Sequence, residues 1–256
     1  TMIDQSHVLS LGEITPKDFL RIYWQKKPLL IRQAFAGFNG LLSPNELMQL
    51  ACDEGAQSRL VIQRNKKWHL RQGPFTRSEL TRLPQKNWTL LVQDVNHFLV
   101  SARELLTSFR FIPHARLDDL MVSYAPRGGG VGPHFDSYDV FLLQGLGQRR
   151  WQISSQCDRE IIADAPLRIL TNFQPEQEWI LEPGDMLYLP PQYAHNGIAE
   201  DDCMTYSIGF RAPSHHEIIT QFLVYLQDHF DIKEGLYSDP DLQLQPHPSL
   251  ISQVFY

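Results

Sequence analysis

Apolar residues follow two rhythms along this chain. Before about residue 117, short helical and strand patterns alternate. Residues 13–24 read as a helix, with Thr15 as the cap and Pro16 in the first turn. Ser43-Pro44 repeats that signature and opens a second helix running to about Cys52. Pro28 to Ile31, Leu60 to Gln63, Trp68 to Arg71 and Trp88 to Val92 read as strands, the middle two joined by an Asn65-Lys66 turn. Phe98 to Phe109 is amphipathic and predicts a third helix. The rhythm then changes. From Leu120 to Phe210 short apolar runs alternate with Pro and Gly turns: Leu120–Tyr124, Val140–Gln144, Arg150–Ile153, Glu178–Leu181, Met186–Leu189 and Met204–Phe210. Many short strands with such turns predict a mainly β fold with flanking helices, its core a double-stranded β-helix or jelly roll. Three regions follow: 1–117 supporting the core, 118–213 the core itself, and 214–256 a helical region.

The central stretch is 120–151. It reads as a strand, a glycine-rich turn at Gly128–Gly132, and one long strand starting at His134, with a tight turn before Arg149. Side chains two apart on a strand share a face, so His134 and Asp136 project together. Two similar groupings, His215-His216-Glu217 and His229-Phe230-Asp231, lie in or beside a helical pattern that opens with Ser214 and Glu217 as a capping box. Residues two apart on a helix point about 200° from each other, so these cannot share a ligand. A third ligand is expected from a later strand. His195 suits it, following the Pro183-Gly184 turn, the Met186–Leu189 strand and the Pro190-Pro191 stop. Two histidines and one carboxylate on one side of an ion form the facial set that suits ferrous iron and leaves positions open.

Arg149 comes 15 residues after His134 and is expected to face the same cavity on a return strand, where a guanidinium can grip a carboxylate with two prongs. Arg150 then alternates to the other face. Ser123 and Ser207 are small polar residues in apolar runs, and each either donates a hydroxyl to a bound cosubstrate or bonds to backbone. Tyr138 is expected on the face of His134 and Asp136; Asp118, Asp119 and Asp139 are the nearest carboxylates for a cationic substrate. The glycine run lacks the following Lys-Ser/Thr of a phosphate loop and reads as a turn that lets backbone pass close to the site.

Composition narrows the class. A chain of 256 residues with 43% hydrophobic and 11% aromatic content can bury a sizeable core. A net charge of -6 gives no global nucleic-acid footprint, and Arg64, Lys66, Lys67, Arg71 and Arg77 read as a solvated hairpin edge, so no direct nucleic-acid binding is expected. Cys52, Cys157 and Cys203 match no disulfide framework or zinc spacing, and no apolar run approaches a membrane span, which predicts a cytoplasmic chain with no membrane contact.

Gly132-Pro133-His134-x-Asp136, Arg149, the Pro-Gly-Asp turn and Pro190-Pro191…His195 resemble the JmjC and cupin-type 2-oxoglutarate oxygenases. Tyr23–Arg32, Tyr138–Phe141, Tyr206–Pro213 and Tyr237–Pro240 carry the resemblance further, to the bacterial ribosomal oxygenases, across nearly the whole chain. That resemblance implies Fe(II) on His134, Asp136 and His195, 2-oxoglutarate anchored by Arg149, dioxygen as the oxidant, and hydroxylation of an arginine on the sixteenth protein of the large ribosomal subunit. It also implies that 214–256 is part of a C-terminal dimerisation region, giving a homodimer. Two other readings stand beside it: the same chemistry on a histidine, a lysine or a small molecule, and a metal-binding cupin without catalysis.

Overall fold

The computed structural model describes residues 9–65 and 67–230 together with 238, 240, 241, 244 and 247; most of the Pro- and Asp-punctuated stretch after Leu236 lies outside them. The chain divides into two units, Thr1–Ala212 and Pro213–Tyr256.

In the first unit the elements run α1 (Pro16–Ile22), β1 (Leu29–Ile31), α2 (Pro44–Leu50), β2 (Ser58–Arg64), β3 (Lys67–Gln72), α3 (Arg77–Thr81), β4 (Trp88–Val92), α4 (Val95–Phe98) and α5 (Val100–Thr107). Then come β5 (Leu117–Ala125), β6 (His134–Phe135), β7 (Asp139–Leu146), β8 (Arg149–Ser154), β9 (Gln177–Leu181), β10 (Met186–Leu189), β11 (Ala194–Ala199) and β12 (Cys203–Phe210). The caps are where the sequence put them: Thr15 accepts from the Asp18 N–H, and Ser43 and Glu46 form a reciprocal capping box. A second box, Thr76 with Glu79, starts α3, which is five residues long with only Leu80 buried and so too short to show a period. The helix expected over 98–109 is two. Leu99 is extended, with φ -118° and ψ 129°, and splits α4 from α5.

All strand pairs are antiparallel. A large sheet has the order β1-β10-β7-β12-β5-β4-β2-β3 and a small one β6-β11-β8-β9. This corrects the long strand expected from His134. The chain pairs with β11 for only two residues, leaves the small sheet at Asp136, and enters the large sheet at Asp139 between β10 and β12. β7 is buried on both faces along nearly all its length, so its run of apolar residues does not show which sheet it joins. The β7–β8 turn likewise joins two sheets rather than pairing neighbours, since β8 bonds to β11 and β9.

The outer face of the large sheet (Leu60, Leu90, Leu120, Phe141, Tyr188 and Ile208 among others) is buried against Phe19, Phe35, Leu47, Leu105 and Phe109 from the N-terminal segment. Each such ring or aliphatic chain contributes roughly 1.5–3 kcal/mol on leaving water. Between the sheets a smaller cluster, Val140, Leu142, Trp151, Ile153, Leu187 and Leu189, fills one part of the roll. The inner face of the large sheet is less apolar. Its register sets Arg59 opposite Leu91, Leu91 opposite Ser123, Ser123 opposite Thr205 and Thr205 opposite Gln144.

The second unit contains α6 (His215–His229), opened by the expected capping box of Ser214 and Glu217. His215, His216, Glu217 and His229 therefore lie on this helix, while Asp231 falls outside the described residues. No helix among the described residues is long and apolar enough to cross a membrane.

Candidate metal centre

His134 and His195 are directly opposed in the β6–β11 ladder, so both imidazoles leave the small sheet side by side, ring centroids 4.3 Å apart. Gly132 holds a φ of +81°, which a side chain would disfavour, and turns its carbonyl onto His134 Nδ1 at 2.8 Å. The Tyr193 carbonyl does the same for His195 Nδ1 at 3.2 Å. Each Nδ1–H donates to its carbonyl in the tautomer that leaves the Nε2 lone pair free for an ion. Both Nε2 atoms face Asp136, at 3.6 Å from Oδ1 and 3.4 Å from Oδ2. The three side chains offer ligand atoms within 4.8 Å of one another.

Electrostatics agree with a ligand set. Burial and the neighbouring His195 push His134 down to about 4, keeping it neutral near pH 7. Burial works to raise the Asp136 carboxyl, but the hydrogen bond and charge of His195, with His134, hold it at about 2. Two imidazole nitrogens and one carboxylate oxygen on one side, with the other side open to a cavity, match the facial donor set of ferrous iron.

That cavity, of about 250 Å³, runs from the three side chains in between the sheets. Arg149 lies in it, only 5% exposed. It reaches the interior because β8 faces the large sheet: on one face Ile153 sits opposite His195, Trp151 opposite Gly197 and Arg149 opposite Ala199. Gly197 is required there, since a Cβ would come within 2.7 Å of the Trp151 ring. Arg149 packs over that ring at 5.8 Å. Its Nε and Nη2 are buried without a hydrogen-bond partner, as are Trp151 Nε1 and Thr89 Oγ1, which line the same cavity. Buried donors without partners are costly, and here they surround one space. A bound carboxylate would satisfy them, and that is the fit a dicarboxylate cosubstrate requires. Arg150 turns outward as expected and pairs with Glu178 at 2.5 Å and Glu200 at 2.6 Å.

The remaining candidates divide. Ser123 and Ser207 line the cavity, Ser123 also making a long 3.5 Å bond to the Thr205 carbonyl. Tyr138 lines it too, although it stands on the link between β6 and β7 rather than on a strand shared with His134. Asp119 lies on the same face of β5 as Met121 and Ser123, and its Oδ1 and the Tyr138 ring both come close to Gly209, where a Cβ would meet them at 3.5 and 3.7 Å. Burial raises its carboxyl to about 6. Asp118 alternates to the exposed side. Asp139 is wholly buried away from the cavity, accepting from Tyr188 Oη at 2.6 Å and Gln25 Nε2 at 2.9 Å. Sequence reasoning missed Thr89, Trp151, Arg59 and Arg168, all on the cavity wall. Thr89 carried the signal used for the serines, a hydroxyl in an otherwise buried apolar strand.

Comparison with known proteins agrees with this geometry. Residues 104–218 match the model of the JmjC domain. The chain is 41% identical over 233 residues to the ribosomal protein uL16 3-hydroxylase of Escherichia coli, covering 91% of this chain and 62% of that protein. It is 40% identical over 236 residues to a probable ribosomal oxygenase of Haemophilus influenzae, covering 90% and 56%. The E. coli ribosomal oxygenase YcfD solved with cobalt and 2-oxoglutarate superposes with a TM-score of 0.82 at 39% identity, over 96% of this chain and 64% of that one. The chain thus spans less than two thirds of the length of these relatives. Residues 104–218 are a JmjC domain, and over most of its length the chain is similar to the bacterial ribosomal oxygenases.

Proposed function

We propose that this chain is an Fe(II)- and 2-oxoglutarate-dependent protein hydroxylase acting on an arginine of a large-subunit ribosomal protein. One observation carries the oxygenase reading: a two-histidine, one-carboxylate set opens onto a cavity whose deep arginine lacks a partner for two of its nitrogens. His134, Asp136 and His195 would hold the iron. With 2-oxoglutarate and dioxygen, iron so held supplies an oxidant for an unactivated C–H bond, with succinate and carbon dioxide as coproducts.

The other residues bind and exclude. Arg149 pairs with the distal carboxylate of 2-oxoglutarate, and Thr89, Ser123, Ser207 and the Trp151 N–H, which line the same cavity, add hydrogen bonds. Leu91, Val140 and Leu142 keep water from the aliphatic part. The arginine reading rests on the Asp119 carboxylate and the Tyr138 ring, which both come close to Gly209. That is an anion and an aromatic face for a guanidinium. Support for a ribosomal substrate comes from the relatives' names, one of which specifies uL16. A cytoplasmic location and a homodimer through the second unit complete the proposal.

The test is succinate formation from 2-oxoglutarate with ferrous iron, with and without a uL16 peptide, read with the peptide's mass. Coupled gain of one oxygen on arginine supports the whole reading. Succinate with oxygen on another residue keeps the oxygenase and discards arginine. No succinate from folded, metal-loaded protein overturns it.

A further inference from the structure

A second concavity lies on the outer edge of the large sheet. The hairpin of β2 and β3 forms one wall, with Arg64, Trp68 and Arg71; the segment from Arg82 to Asn87 forms the other. No Asp or Glu is among the lining residues. Arg71 is paired with Glu79, but Arg64, Arg82 and Lys86 make no ion pair among the described residues, and all three are exposed. Lys67 adds an exposed cation at the start of β3. On a chain with net charge -6 this is a marked local segregation of positive charge. Trp68 stands half-buried within it, its neighbours Lys67 and His69 exposed on the edge strand.

Along the sequence the hairpin cations read as a solvated edge. The fold changes that by bringing Arg82 and Lys86, from beyond α3, across from them, with an indole between. Cations spaced along a groove contact a phosphate backbone, and an aromatic face inside it stacks a base. A carboxylate-bearing peptide would use the cations but not the ring. The groove also borders the first site: Pro166 lines it, while Leu167 and Arg168, the next two residues, line the metal cavity.

From this we propose that the groove of Arg64, Trp68, Arg82 and Lys86 binds single-stranded RNA. None of its lining residues lines the metal cavity, so the inference stands independently of the hydroxylase reading.

The experiment is fluorescence anisotropy of a labelled single-stranded oligouridylate titrated with the full chain at several salt concentrations. Saturable binding is expected, with log K falling linearly in log salt. The double variant Arg82→Glu, Lys86→Glu should lower affinity at least about tenfold and flatten the salt slope, because two phosphate contacts are lost. Trp68→Ala should weaken binding by roughly 5- to 100-fold, the cost of one lost stack. Arg77→Glu, an exposed cation outside the groove, should change little. Circular dichroism melts would establish that each variant is folded. The proposal is overturned by absence of saturable binding at low salt, by an equal effect of Arg77→Glu, or by polyglutamate displacing the RNA at matched charge, which would make the groove an acidic-peptide site.

Discussion

Arg149 shows how much one residue can decide. Its buried Nε and Nη2 lack partners while a tryptophan ring supports the guanidinium, so its geometry serves an incoming carboxylate better than the folded chain alone. Arg149→Met is expected to raise the KM for 2-oxoglutarate about 10- to 100-fold, the worth of a charge-assisted pair, with the fold retained by circular dichroism. Asp119 makes a different prediction. Burial raises its carboxyl to about 6, well above the usual carboxylate range. In the folded chain the proton is therefore held more tightly than in the unfolded one. This contribution to stability is full below the ordinary carboxylate pKa and is lost as pH rises through about 6. Binding of a cationic side chain runs the opposite way, because only the ionised form attracts it. KM for an arginine peptide should thus fall roughly tenfold between about pH 5 and about pH 7, and Asp119→Asn should flatten that dependence. A KM that is flat in the unaltered chain would remove Asp119 from the substrate site. Of these residues Arg149 was legible in the sequence through its place after a strand and turn. Asp119 was one of several acids, and nothing in their spacing could separate it from Asp118 or from Asp139, which is wholly buried and bonded to Tyr188.

At the scale of elements, the capped starts of helices and the cores of strands were readable, because capping side chains and short apolar runs between turns act over a few residues. Sheet membership was not. β6 and β7 are close in sequence yet lie in different sheets, and the face that Arg149 shares with His195 arises from the β8–β11 ladder rather than from a hairpin with β7. That ladder yields a further prediction. Gly197→Ala drives a methyl toward the Trp151 ring, and the ring must move out from under Arg149. Overpacking of this kind costs about 1–3 kcal/mol, so the melting temperature should drop. Because the ring supports the guanidinium, 2-oxoglutarate affinity should fall too, by calorimetry with manganese in place of iron. Asp139→Asn separates the two effects. It weakens the buried Tyr188–Asp139–Gln25 network and should lower stability by about 1–3 kcal/mol with peptide KM unchanged.

For the whole molecule, the two sheets divide the labour. The small sheet carries the histidines and Arg149, and the large one supplies Thr89, Ser123, Ser207 and Met121 opposite them. The N-terminal segment does more than support this roll, since its strands β2 to β4 complete the large sheet and set Arg59 and Thr89 into the cavity wall. A divalent ion that binds only the folded chain should raise the melting temperature by mass action, about 2.7 kcal/mol at a hundredfold excess over Kd. The shift should vanish with chelator and in His195→Ala, read by scanning calorimetry. The two-residue β6 gives this a local meaning. Its ladder with β11 is too short to hold the segment firmly, yet both partners in its first pair, His134 and His195, belong to the metal-binding set. An ion gripped by that pair is a rivet between strands otherwise joined by few bonds. Its departure should free the 128–136 segment to open and exchange its amide hydrogens, so that losing the metal also loosens the wall that shapes the pocket.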